Sequence, residues 1–243
     1  MKYKKGFTLV ELLTVIAIIG VLAAILIPTV GGVMDNARRA SASNNMRQIC
    51  LGYAKYSSEG RGGARAVPLA VNDIYDWGEE LADKAGVETA ELYIIDGDPA
   101  LATWDESIPK VIGFTDDQGD FQTVDDWTTG LPVGYVAIAG YSANANTSTT
   151  PLMWTRGLDT TGLWRSDSPW EGEGGHIGYP DGHVTWFQDL TGEGGADDGE
   201  LIDYDTKQPT ENMVDAVNNG AKAVGPSIPG FQNGSVASVI TGS

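Results

Sequence analysis

Glu11 is the only charged residue between Lys5 and Asp35. It stands in an apolar run from Phe7 to Ile27, where only Thr8, Thr14 and Gly20 join it as residues that are not plainly apolar. A carboxylate in such a run costs free energy in a bilayer or a dry protein core unless a cation meets it. The chemistry it offers is ion pairing, and the adjoining residues supply no cation within the run.

The other candidates lie beyond residue 100. His176 and His183 are the only histidines, and with Asp181 and Glu171 they could offer ligands to a metal. Zinc needs three or four ligands in a fixed geometry. These two histidines fall on opposite arms of an expected hairpin, and no cysteine or third histidine supports them, so they read as strand or surface residues. Carboxylates are better supplied. The segments "DDQGD" at 116–120 and "GADDGELIDYD" at 195–205 hold closely spaced acids with glycines for tight turns, which suits calcium. In the second segment the ligands would be Asp197, Asp198, Glu200, Asp203 and Asp205. Neither follows the twelve-residue EF-hand loop, and the plainer reading is a solvated acidic loop. There is no Gly-x-Ser-x-Gly elbow, no cysteine and histidine in a recognised nucleophilic setting, and no phosphate-cradling glycine loop, so no catalytic residue is assigned and no enzyme is expected. Cys50 is the lone cysteine, which excludes an intrachain disulfide; in a helical pattern it reads as a small buried hydrophobe. The seven tryptophans could line a sugar site, but their large apolar area suits the core.

The elements that would carry these residues differ along the chain. Of 243 residues, 33 are acidic and 15 basic, a formal charge of −18. Such a surface repels a phosphate backbone, so no nucleic-acid partner is expected. Basic residues concentrate early, at Lys2, Lys4, Lys5, Arg38, Arg39, Arg47, Lys55, Arg61 and Arg65. As a helix, the run from Phe7 to Ile27 spans roughly 30 Å, the thickness of a bilayer core. The lysines before it would keep the N-terminus cytoplasmic and send the body across. An ordinary secretory signal would be shorter and would end in a small-x-small cleavage site. A plain anchor explains the length but not Glu11.

Pro28 and Gly31–Gly32 should kink or locally melt the helix. Helical spacing then resumes with Val30, Val33, Met34, Ala37, Met46, Ile49, Tyr53 and Tyr56, until "SSEGRGG" at 57–63 ends it. One long helix from Phe7 to about Ser58 is expected, its second half packed on a head. In the head, "NDIYDWGEELADKAG" reads as a short helix capped by Asn72 or Asp73 and stopped near Gly86. "ELYIIDGD" reads as a strand or a short helix end before a turn, and "LPVGYVAIAGYS" and "PLMWTRGL" as strands. "GGHIGYPDGHVTWFQDL" reads as a hairpin around a two-residue Asp181–Gly182 turn. The last segment, "GPSIPGFQNGSVASVITGS", reads as a loose or edge segment.

The segment "KKGFTLVELLTVIAIIGVLAAILIP" resembles the N-terminal signal of type IV pilins and type II secretion pseudopilins. The resemblance implies a leader of residues 1–6, cleaved between Gly6 and Phe7, with N-methylation of Phe7. Glu11 then falls fifth in the mature chain, and Pro28 matches the family's helix-disturbing proline. Cleavage would create a cationic α-amine on Phe7, and Glu11 of a neighbouring subunit could pair with it. Subunits docked out of register would leave both charges buried and unpaired, which costs several kcal/mol.

The same resemblance implies an α+β, pilin-like fold. It comprises a transmembrane and assembly helix at 7–27, an amphipathic helix at 28–58, and a head with a small antiparallel β-sheet, long loops and a loose tail at 59–243. It implies a structural subunit of a pilus or pseudopilus filament. The partners would be other pilin-like subunits, prepilin peptidase/N-methyltransferase and an inner-membrane assembly platform. The chain would sit as a single-pass protein in the inner membrane, head on the periplasmic or extracellular side, before entering the filament. The rival expectation is a membrane-displayed module that binds carbohydrate or a surface. No cofactor is expected beyond the calcium weighed above. The hairpin is also similar to the end of the His-x9-Asp-Gly domain of many prepilin-type proteins: Asp181, Gly182, His183 and Val184 match, while Glu171 stands where that pattern opens with histidine.

Overall fold

Leu9–Glu59 forms one α-helix, α1, of 51 residues in the computed structural model. The structure describes residues 8–59, 67, 70–128, 130–159, 161–192, 201–226 and 234–235; for residues 26–30 and 234–235 it describes the backbone alone. The chain divides into two units, Met1–Ser41 and Ala42–Ser243.

From Leu9 to Ile25, within the first unit, the helix carries apolar side chains on every face. Leu9, Val10, Leu12, Leu13, Val15, Ile16, Ile18, Ile19, Val21, Leu22 and Ile25 are all exposed. A helix that is hydrophobic all round has no face of its own to hide, and belongs in lipid or among other chains. Among the described residues no helix is long and apolar enough to cross a membrane. The described side chains of the apolar run stop at Ile25, and the segment inferred from sequence, 7–27, extends past them at both ends. The backbone stays helical through Pro28 and Gly31–Gly32, so the expected melting does not occur. Proline lacks the one N–H that would bond the carbonyl of Ala24, and the helix continues without it. Val33 and Met34, expected on a packed face, are also exposed.

In the second unit α1 buries Ala42, Met46, Ile49, Cys50, Tyr53 and Tyr56, a stripe at helical spacing. The Tyr53 ring lies parallel to Trp77 with centroids 6.1 Å apart, and meets Tyr141 edge-on at 5.8 Å. Tyr135 donates its hydroxyl to the Ala42 carbonyl at 3.1 Å, and Lys55 donates to the Ala85 carbonyl at 3.0 Å.

Helix α2, Ile74–Ala85, starts and stops where its sequence dictates. Asp73 is the N-cap, accepting the N–H groups of Tyr75 and Asp76, and Gly86 closes the helix in a left-handed conformation at φ 75°. A 3₁₀ turn, Ala90–Tyr93, occupies the segment left open between strand and helix end. A second, Pro99–Thr103, is capped by Asp98.

The strands are short: β1 Gly113–Thr115, β2 Phe121–Thr123, β3 Tyr135–Ala139, β4 Met153–Thr155, β5 Gly175–Gly178, β6 Val184–Phe187, β7 Leu201–Ile202, β8 Pro209–Thr210, β9 Lys222–Val224 and β10 Gly234–Ser235. A brief helix, α3, covers Met213–Ala216. The main sheet runs β10-β9-β3-β4-β5-β6, with antiparallel neighbours throughout. Two further ribbons are β1–β2, which precedes the sheet in sequence, and β7–β8, which falls between β6 and β9. The fold is therefore α+β, a long N-terminal helix followed by antiparallel sheets, as expected. Every residue of β3 is buried, as befits an inner strand covered on both faces.

The tryptophans build this core. Trp77 donates to the Ile138 carbonyl, Trp127 to that of Tyr75 and Trp164 to that of Thr155. Trp154 and Trp170 are buried as well, and Trp104 and Trp186 are partly covered. Among the described residues there is no exposed tryptophan row for a sugar. One ion pair is enclosed with them: Arg156 bonds Asp98 and donates to the Asp167 carbonyl at 2.6 Å, with both charged side chains at most 4% exposed.

Candidate functional site

The chemistry that the sequence concentrates at the N-terminus has a local geometry. Thr8 precedes the first turn of α1 and Glu11 sits three residues on. The Thr8 N–H and hydroxyl both donate to Glu11 Oε2, at 2.8 and 2.7 Å, and the Glu11 N–H donates back to Thr8 Oγ1 at 3.2 Å. This is a reciprocal capping box, which satisfies backbone donors that a helix start leaves without partners. The sequence carries its signal as Thr-x-x-Glu, from Thr8 to Glu11. Glu11 thus closes the helix start within its own chain while its side chain stays exposed. Gly6 and Phe7, between which cleavage is expected, lie outside the described residues, as does the ring of Pro28.

The head brings its histidines to different settings. His176, on β5, is buried and lies edge-on to Trp186 and Trp170 at 4.9 and 5.9 Å between ring centroids. His183 is half-exposed beside Asp181, with Nδ1 2.5 Å from Asp181 Oδ1. Its ring stacks on Tyr179 at 4.0 Å. Burial works to raise the Asp181 carboxyl, but bonds from the His183 N–H and ring and from Ser148 outweigh it and hold the group below its ordinary value.

The turn here differs from the two-residue one expected. The Gly182 N–H bonds the Tyr179 carbonyl at 2.9 Å and the Tyr179 N–H bonds that of His183 at 3.1 Å, with Gly182 at φ 88°. Pro180, its φ fixed near −65°, suits the second place of the turn, which moves Asp181 to the third and Gly182 to the left-handed fourth. The hairpin also lies against α1. A Cβ on Gly178 would come within 2.8 Å of Cys50 Sγ and Met46 Sδ, and one on Gly182 within 2.6 Å of Leu51. Gly178 and Gly182 therefore let the hairpin seat closely on the helix. Sequence reasoning missed this, because contacts between residues so far apart leave no local pattern.

Of the acidic segment proposed for calcium, Asp197, Asp198 and Glu200 lie outside the described residues. Asp203 turns its carboxylate to its own loop, accepting the N–H groups of Thr206 and Asp205 at 2.6 and 2.9 Å. The Thr206 bond chiefly holds that carboxyl below its usual range. Asp116, in the other acidic segment, likewise accepts from Gln118 and Asp120. Among the described residues no group of three or more histidine, cysteine or acidic side chains could hold a metal.

Residues 1–27 match the family model of the prokaryotic N-terminal methylation motif. No solved structure matches the chain. The motif is the prepilin-type signal of type IV pilins and pseudopilins. It indicates a pilin-like precursor with a structural role, implies processing by prepilin peptidase, and points to membrane anchoring followed by assembly into a pilus-like polymer.

Proposed function

We propose that this chain, whose methylation motif takes in a helical stretch apolar on every face, is a structural subunit of a type IV pilus-like or type II secretion pseudopilus filament. Prepilin peptidase cuts it between Gly6 and Phe7 and methylates the new α-amine. Before assembly the segment 7–27 spans the inner membrane, with the head on the far side. On assembly the exposed apolar side chains from Leu9 to Ile25 leave lipid for the company of other subunits, and an assembly platform in the membrane drives the exchange. The observation that carries this reading is the match of residues 1–27 to the motif.

Within that reading Glu11 has two tasks. It closes the capping box with Thr8, and it offers a carboxylate to the Phe7 amine of a neighbour. The tasks separate experimentally, because a capping box accepts glutamine as well as glutamate. Glu11→Val should still be cut after Gly6 yet enter filaments poorly. Glu11→Gln keeps the cap and loses the charge. If Glu11→Gln builds filaments as the parent does, the charge pair is not what sets register, and the cap is. The rival reading, a displayed carbohydrate-binding module, loses its most evident platform because the tryptophans are built into the core.

A further inference from the structure

The charge of this chain is strongly segregated. From residue 67 onward six basic residues (Lys84, Lys110, Arg156, Arg165, Lys207 and Lys222) stand against 30 acidic ones, a formal −24. Along α1 beyond Pro28 the balance reverses, with Arg38, Arg39, Arg47 and Lys55 against Asp35 until Glu59. Most of these cations already have a use inside the subunit. Arg38 lies 3.5 Å from Asp35, Arg39 is engaged within the chain, and Lys55 bonds the end of α2. Arg47 is different. It is exposed, stands one position beyond the buried Met46, and has no hydrogen-bond or ion-pair partner among the described residues.

We propose that Arg47 is an intersubunit contact whose occupant is the acidic head of a second copy of this chain. The inference rests on the filament reading above and deepens it. A polymer of subunits that each carry −24 from residue 67 onward must overcome repulsion between neighbours at every step, and like charges brought together cost free energy. A guanidinium held on α1 with no partner among the described residues answers part of that repulsion each time a subunit is added. One exposed pair contributes little by itself. It recurs at every subunit, and charge complementarity sets orientation and speed of association more than bulk affinity.

The test is filament imaging of cells making the full chain, with Arg47→Glu and Arg47→Lys beside the parent. Arg47→Glu should reduce filament mass about fivefold, the scale of one exposed ion pair. Arg47→Lys should retain most of it. Thermal melting of the purified subunit should be the same for all three. Sodium chloride screens the repulsion between heads and the Arg47 contact alike, so the gap between parent and Arg47→Glu filaments should narrow as the reach of the charges falls below the roughly 10 Å it has at 0.1 M. Parent-like filaments from Arg47→Glu would overturn the contact and leave the filament reading standing. So would loss of binding of the variant to anionic lipid vesicles with filaments intact, which would give Arg47 to the membrane. No filament from the parent itself would overturn both.

Discussion

Leu9–Ile25 and Ala42–Tyr56 belong to one helix and meet their surroundings in opposite ways. The first stretch exposes every large apolar side chain it has, and the second hides a single stripe and leaves the rest to water. Local propensity does not account for the contrast, because both stretches are helical although the first is rich in β-branched residues. What does is how the apolar residues are arranged round the axis. A stripe can be satisfied by one partner, here the head of the same chain. A helix apolar all round is satisfied only by an environment. The first stretch is therefore built for something outside the subunit, and the second for the subunit itself.

The largest effect that tests this contrast lies in the head. Asp98→Ala leaves the Arg156 guanidinium buried without its carboxylate, and should destabilise the head by about 3–5 kcal/mol in denaturant melting. Cleavage after Gly6 should persist, because the signal lies in the other stretch. Coupled loss of both would break the separation. Next come two glycines of the same chain. Gly178→Val drives its side chain into Cys50 and Met46 and should cost about 1–3 kcal/mol, read as a lowered melting temperature. Gly20→Ala meets nothing within 4 Å, so it should leave the subunit as stable or firm its helix by about 0.5–1 kcal/mol. If Gly20→Ala nevertheless impairs filaments, its neighbours lie on other subunits.

The smallest effect is in acid, at the hairpin that seats the second stretch. The folded Asp181 carboxyl titrates below its unfolded value, so its contribution is complete above the unfolded pKa of about 3.9 and is lost as pH falls through the lower folded value. Faster exchange of the His183 amide below about pH 4, with the amides of α2 unchanged, would show it. Equal loosening of α2 would place the acid-sensitive group elsewhere.

Much of this was legible beforehand for local reasons. The α2 helix announces itself through Asp73 and Gly86, and β3, β4 and the β5–β6 hairpin through short apolar runs between turn residues. The lone Cys50 was readable as core because it falls on the stripe that Met46, Ile49 and Tyr53 mark. The turn at Asp181–Gly182 was misread because Asp-Gly alone suggests a two-residue loop, while Pro180 ahead of it decides the turn. The Asp98–Arg156 pair had no signature, since its members are 58 positions apart and each looks like an ordinary surface charge. The capping box was legible, and the larger question of the missing countercharge concealed it.

The place of β9 has a consequence in time. β3 is an inner strand of the finished sheet, yet the neighbour on one of its edges, Lys222–Val224, comes near the end of the chain. During synthesis at roughly 5–20 residues per second that edge waits for several seconds with its backbone groups unmatched. The apolar N-terminal helix has by then long left the ribosome. This protein must commit its first residues to their surroundings well before its head can close, and whatever attends it at birth has an open strand to shield.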